Sequence, residues 1–131
     1  MQIVALLLVA LLFGGMTLYA FGFAAFIFHV LPAPTAGRVI RKAFPHFYLF
    51  VLGCSALAGG IVAAAGAPGA GIMAAIAATT LFARQVLMPA INAASDAGRQ
   101  ARFKWLHGLS VTLTLGHIGA AGVVLAWLAG A

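Results

Sequence analysis

Four histidines, one arginine and one aspartate are the residues of this chain that could carry chemistry. They are His29, His46, His107, His117, Arg84 and Asp96. Histidine titrates near neutral pH and is a common ligand of haem and of transition metals. Asp96 is the one acidic side chain of the sequence, which excludes paired carboxylates and a hard-cation site built from carboxylates. The sequence also lacks a nucleophile elbow, a phosphate-binding loop and a dinucleotide fingerprint, so it favours a protein without evident catalysis.

The distribution of charge determines which elements would position these residues. Only 6% of the 131 residues are charged and 65% are hydrophobic, whereas about a quarter of a typical soluble domain is charged. The charged residues lie in two clusters, 38–42 and 84–104, among long apolar stretches. The hydrocarbon of a lipid bilayer must therefore surround most of the chain. The net charge of +6 indicates contact with anionic lipid headgroups and not with nucleic acid.

The apolar stretches predict an all-α, integral membrane four-helix bundle that forms one domain over residues 1–131. A membrane-spanning helix needs about 20 apolar residues, and four segments qualify: about 3–30, 46–65, 71–88 and 105–128. Pro32 ends the first helix, Pro45 suits the first turn of the second, and Pro89 kinks or ends the third. Residues 36–43, with Thr35 as N-cap, are expected to form a short basic turn that lies in the membrane interface.

The basic residues also predict the orientation of the bundle. Every lysine and arginine lies in or beside the two connections that follow the first and third helices. The positive-inside rule therefore places both connections in the cytoplasm and both termini on the non-cytoplasmic side. We expect a multi-pass protein of a bacterial inner (plasma) membrane.

Small residues at four-residue spacing are expected to hold the helices together, because lipid offers no hydrophobic gain for helix association. The rows are Gly108, Thr112, Gly116 and Ala120 in the fourth helix and Gly53, Ala56, Gly60 and Ala64 in the second. These rows are predicted to pack against one another.

Three of the histidines are predicted to gather at one depth near the cytoplasmic side. His29 lies at the end of the first predicted helix, and His46 and His107 lie at the starts of the second and the fourth. Arg84 lies on the third helix beside them, and its role has two interpretations. Its side chain snorkels to the interface, or it has a bonded role with Asp96 or a helix-end carbonyl.

His117 lies ten residues past His107, about 15 Å deeper. This depth is near the middle of the bilayer, where two interpretations are open. A buried neutral histidine could bond to a neighbouring threonine or carbonyl. Alternatively it could be an axial ligand for haem or a metal, although no other histidine lies at its depth.

Several motifs together resemble the family of transmembrane protein 205. They are Gly15-Met16-Thr17, Ala36-Gly37, Phe44-Pro45-His46-Phe47-Tyr48 and Phe103-Lys104-Trp105-Leu106-His107-Gly108-Leu109-Ser110. That family is a four-helix membrane domain of poorly defined activity, and the likeness covers nearly the whole chain. Thr114 departs from it, since the family often has an asparagine there.

The resemblance implies that Pro45, His46 and Tyr48 meet His107 and Ser110 at the cytoplasmic end. With Arg84, these residues would form a polar cluster that is the candidate site. The other interpretation of the cluster is a hydrogen-bonded clamp that fixes the helix ends.

Three functions follow as expectations. The first is an accessory or interaction subunit of a larger membrane assembly or homo-oligomer. The alternative is a haem- or metal-binding redox protein that uses His46, His107, His29 or His117. A weaker alternative is a transporter of a small solute, although such proteins usually carry an intramembrane acid.

Overall fold

A computed structural model describes residues 1–130, which form four helices joined by short turns. The helices are α1 (Gln2–Val30), α2 (Ala33–Ala64), α3 (Ala70–Asp96) and α4 (Gln100–Leu128). Each is long and apolar enough to cross a membrane. The shortest has 27 residues and extends about 40 Å, whereas the hydrocarbon core is about 30 Å thick. The prediction of an all-α, integral membrane four-helix bundle is confirmed.

The helices are arranged in chain order around the bundle. Helix α1 packs against α2 and α4, and α3 also packs against α2 and α4. The helices of each remaining pair, α1 with α3 and α2 with α4, are therefore diagonal neighbours. The turns at 31–32 and 97–99 lie at one end of the bundle, which we name the charged end. The termini and the turn at 65–69 lie at the other end. The core between them contains the fully buried side chains of Leu12, Met16, Val9, Val51, Val62, Met73 and Val124.

Helix α2 begins thirteen residues earlier than the sequence predicts, so residues 36–43 are not a separate element and the predicted helix start at 46 is wrong. The reason is a continuous buried stripe that crosses Pro45: Ala36 and Ile40 lie on the same face as Phe47 and Val51. Proline removes one helical hydrogen bond. Membrane helices tolerate that loss where neighbouring groups compensate.

Helices α3 and α4 also extend beyond their predicted ends, to Asp96 instead of 88 and from Gln100 instead of 105. Pro89 does not end α3. A π-helical segment, Ala83–Leu87, comes just before it. Because the ring of Pro89 would clash with the carbonyl of Gln85 in a regular helix, the wider π turn makes room for it.

Helix α1 also contains a π-helical segment, Leu18–Phe23, and it changes its packing there. Before the segment, Ala5, Val9, Leu12 and Met16 form a buried stripe. From Leu18 to the end of the helix no residue is fully buried. The second half of α1 packs against α2 and leaves open space toward α4.

The predicted packing of the two small-residue rows against one another is wrong, because both rows face outward except for the half-buried Ala120. Gly53, Ala56, Gly60 and Ala64 are exposed on α2, and so are Gly108, Thr112 and Gly116 on α4. The buried faces use other residues, among them Ala58 and Val62 on α2 and Ala121 and Val124 on α4. Three other glycines do allow close approach between helices. A Cβ on Gly59 would lie 3.1 Å from Met73 Cβ, one on Gly122 would lie 3.2 Å from the Phe13 ring, and one on Gly15 would meet the Phe50 ring.

Candidate functional site

An ion pair connects α2 and α3 at the charged end. Arg41 donates two hydrogen bonds to the Asp96 carboxylate, at 2.7 and 2.8 Å. Both side chains are exposed, so the pair contributes little to stability. Its geometry is nevertheless informative, because it places the two charged clusters of the sequence at the same end of the bundle.

Deeper in the bundle, Tyr48 and Ser110 form a buried hydrogen bond. The Tyr48 hydroxyl lies 3.1 Å from Ser110 Oγ, and each residue is only 5% exposed. The bond joins α2 to α4, the diagonal neighbours, which the long tyrosine side chain can bridge. The contact between Tyr48 and Ser110 that the resemblance implies is therefore present.

Arg84 is bonded to the backbone of α2. Its Nε donates to the Pro45 carbonyl at 3.4 Å, and its side chain also donates to Gln85 Oε1 at 3.2 Å. Asp96 pairs with Arg41 instead, so the alternative in which Arg84 bonds to Asp96 is wrong. Arg84 supports the helix next to Pro45 from a half-buried position. No hydrogen bond joins Arg84 to Tyr48 or Ser110 in the described chain.

His117 takes part in a short polar relay between α4 and α3. Its Nε2 lies 2.7 Å from Thr79 Oγ1, which lies 2.7 Å from the Ala75 carbonyl. The carbonyl can only accept, and threonine has one hydroxyl proton. The Thr79 hydroxyl therefore donates to Ala75, and His117 Nε2–H donates to Thr79. The bond to a neighbouring threonine, one of the two interpretations of His117, is observed, and it occupies Nε2 of the ring.

The other three histidines are exposed. His46 lines a groove between α1 and α2 with Leu18 and Phe50, whereas His107 lines a cavity between α1, α2 and α4 with Ser110. His29 is one residue from the end of α1, and the gathering of these three histidines at one depth stays a prediction. Within residues 1–130 no three His, Cys, Asp or Glu side chains come together as a metal site. Haem binding by these histidines stays a prediction.

Two adjacent cavities lie at the charged end, the inner one between α1, α2 and α4 and the outer one between all four helices. We name the inner one, of about 330 Å³, the shaft, and the outer one, of about 550 Å³, the mouth. They share the residues Phe28, Ile40, Phe44 and His107. The shaft has an almost entirely apolar lining, whereas the mouth includes Arg38 and Arg41. The shaft lies along the part of α1 that has no fully buried residue.

Aromatic rings form the wall of the shaft. Tyr19 stacks on Phe47 with ring centroids 4.0 Å apart, and Phe44 meets Tyr19 edge-on at 5.5 Å. His107 stacks on Phe103 with ring centroids 5.6 Å apart. The Tyr19 hydroxyl is buried and has no hydrogen-bond partner among the described residues, so Tyr19 contributes its ring to the cavity.

Sequence reasoning missed Arg38, Tyr19 and Phe44 as residues of a cavity. One signal was available, since Tyr19 is an isolated tyrosine in a long apolar helix. No pattern of residues marked the π-helical segment that creates the opening beside it.

Replacing Tyr48 with phenylalanine is expected to lower the free energy of unfolding by about 0.5–1.5 kcal/mol. The substitution removes only the hydroxyl that meets Ser110. In a double-mutant cycle with Ser110→Ala, the coupling energy should be about 0.6 kcal/mol, the average for hydrogen bonds between membrane helices. Equilibrium unfolding in mixed micelles with increasing dodecyl sulfate measures both values.

The matched control for this cycle is Thr112→Val. The Thr112 hydroxyl faces outward and donates to the Gly108 carbonyl of its own helix at 2.9 Å, so its removal should leave the bundle unchanged. A zero coupling energy between Tyr48 and Ser110 would contradict a stabilising bond.

Comparison with known proteins gives one match. The model of a family described as a domain of unknown function, DUF4149, matches residues 7–100. The matched region covers most of α1, all of α2 and α3, and the first residue of α4. No curated protein and no solved structure matches the chain.

Proposed function

The chain belongs to the DUF4149 family of domains of unknown function, and we propose that it is an accessory subunit that binds a transmembrane helix of a partner membrane protein. The multi-pass helical bundle provides the frame for this role. The observation that carries the proposal is the outward-facing row of small residues on α4.

This row, which we name the α4 face, consists of Gly108, Thr112, Gly116 and Gly119, all exposed. A Cβ placed on any of its three glycines would meet nothing within 4 Å. Small residues are enriched where membrane helices approach closely, whereas a lipid-facing glycine gains nothing from the acyl chains. The helices of this bundle do not use the face, so it remains available to a helix from outside.

The chemistry of the α4 face fits an apolar helix. Its one polar side chain, Thr112, has its hydroxyl bonded to its own helix, and the face carries no charge. A docked helix would thus meet no unsatisfied polar group. Close backbone packing would provide the attraction.

The exposed row on α2 (Gly53, Ala56, Gly60, Ala64) supports an assembly in preference to a closed dimer. Helices α2 and α4 are diagonal neighbours, so their outer faces point away from each other. A subunit with two such faces fits between two partners. This arrangement favours another membrane protein as the partner over a single second copy of the chain.

The test is to purify the protein in mild detergent and determine the mass and stoichiometry of its complex. Gly116→Leu should lower the fraction of protein in the complex about tenfold, because a bulky side chain overfills the contact. Gly14→Leu is the matched control, since Gly14 on α1 is also exposed and open but belongs to no row. Photo-crosslinking from a benzophenone side chain at position 112, which inserts into a neighbouring C–H bond and needs no cysteine in the partner, should capture the partner at the α4 face.

Three results would overturn the proposal. The wild-type protein could run as a monomer, or Gly116→Leu and Gly14→Leu could leave the same fraction in the complex. Trapping of a second copy of the chain through position 112 would replace the partner protein with a homo-oligomer.

The finer identification as a transmembrane protein 205-like protein is also our proposal. The contact between Tyr48 and Ser110 supports it, because both residues belong to the motifs that carry the resemblance. We further propose a bacterial inner membrane with the charged end in the cytoplasm. The position of Arg38, Arg41 and Arg99 at one end, near the turns, supports this orientation.

A further inference from the structure

We propose that the mouth and the shaft bind one anionic phospholipid, with an acyl chain in the shaft and the phosphate at the mouth. The proposal is independent of the docking role of α4. It rests on the shape of the two cavities and on the charge at their opening.

The charge at the mouth lacks a counterpart in the protein. The sequence has seven lysines and arginines but one acidic side chain, and that side chain, Asp96, is taken by Arg41. The Arg38 guanidinium has a neutral partner, Thr35 Oγ1 at 3.1 Å. An anion at the mouth would thus find an exposed guanidinium that no carboxylate neutralises. Arginine binds phosphate oxygens with directed hydrogen bonds.

The shaft has the opposite character. Its walls are mostly apolar and aromatic, with Ser110 and Thr114 among the few polar side chains, and the Tyr19 hydroxyl is buried away from it. A free phosphate or a headgroup alone would leave this space unfilled. The mouth and the shaft lie side by side, since Phe28, Ile40 and Phe44 line both, and one elongated molecule would occupy the two together. An occupant with a phosphate at one end and a hydrocarbon chain at the other satisfies both parts.

The experiment measures the lipid that stays bound when the protein is extracted from vesicles of phosphatidylglycerol and phosphatidylcholine in equal amounts. Native mass spectrometry counts the lipids retained by each chain. We expect one phosphatidylglycerol per wild-type chain. Arg38→Gln should reduce its retention about fivefold, the effect of one basic residue on anionic lipid, and Arg38→Lys should keep most of it.

Two pairs of variants separate this site from general effects. Arg102→Gln is the control for charge, because Arg102 is exposed at the same end but lines neither cavity. Ala24→Phe should block the shaft that Ala24 lines and abolish retention. Ala78→Phe adds the same bulk at an exposed position of α3 and should not. Circular dichroism on every variant verifies that the bundle is folded.

The proposal is overturned if Arg38→Gln and Arg102→Gln retain equal amounts of phosphatidylglycerol, or if Ala24→Phe retains as much as Ala78→Phe. Equal retention of phosphatidylcholine by the wild-type protein would also overturn it, since the mouth would then not recognise the headgroup charge. If a second copy of the chain accompanies the wild-type protein and is lost in Ala24→Phe, then the occupant of the shaft is that copy and not a lipid.

Discussion

Replacing Gly69 with alanine is expected to destabilise the bundle by about 2–5 kcal/mol. Gly69 lies in the turn between α2 and α3 with φ +109°, where a side chain is strained by about 1–2 kcal/mol. Its Cβ would also lie 2.7 Å from Val124 Cγ1 and 2.9 Å from Cγ2. Val124 is fully buried in α4 and stiff at its branched Cβ, so it cannot move aside. Such overpacking adds about 1–3 kcal/mol.

Gly66 is the matched control for this substitution. It lies in the same turn with φ +63°, but a Cβ there meets nothing within 4 Å. Gly66→Ala should therefore show only the backbone strain, about 1–2 kcal/mol. The difference between the two variants in unfolding with dodecyl sulfate measures the contact with α4. If Gly69→Ala is no more destabilising than Gly66→Ala, then the turn does not pack against Val124 as the structure has it.

The spans of the bundle were predictable because the bilayer imposes a simple rule on sequence. A helix that crosses hydrocarbon must be long and apolar and must satisfy its own backbone. All four predicted spans correspond to helices over residues 1–130. The start of α2 was not predictable from Pro45 alone. Proline is common in the first turn of a helix, so Pro45 predicts a helix start. In the structure, however, the buried stripe from Ala36 to Val51 packs against the neighbouring helices on both sides of Pro45, and the helix is continuous there.

The direction in which the small residues face shows a second limit. Four-residue spacing predicts that Gly108, Thr112 and Gly116 share one helix face, and they do. The spacing does not tell whether that face meets the other helices of the bundle or the surroundings. That choice depends on how the whole set of side chains packs, and here His117 and Val124 occupy the inner face of α4.

The candidate site was predictable where two motifs had to meet and unpredictable where backbone geometry decided. Tyr48 and Ser110 meet as the resemblance implies. The cavity beside α1 arises at a π-helical segment that contains no proline, so neither its position nor its cationic mouth could be read from residue types.

Thr79→Val is expected to lower the free energy of unfolding by about 1–3 kcal/mol, because it removes the acceptor of a buried donor. Valine has nearly the shape of threonine, so packing is preserved. His117 is 9% exposed and lies well inside α4, where its Nε2–H would find no replacement for Thr79 Oγ1. Unfolding in mixed micelles measures the loss, and Thr79→Ser should restore the bond and most of the stability.

The effect of Thr79→Val should depend on His117, and this dependence distinguishes the relay from a local property of α3. In a His117→Leu background the donor is absent, and loss of both partners of a buried bond is nearly neutral. Thr79→Val should then change the stability by less than about 0.5 kcal/mol in either direction, because only the bond from Thr79 to the Ala75 carbonyl of the same helix is lost. The same loss in both backgrounds would contradict the relay. A large coupling energy between Thr79 and His117 would support the relay. Because Thr79 then occupies Nε2 of His117, only Nδ1 of that ring would be free to bind another group.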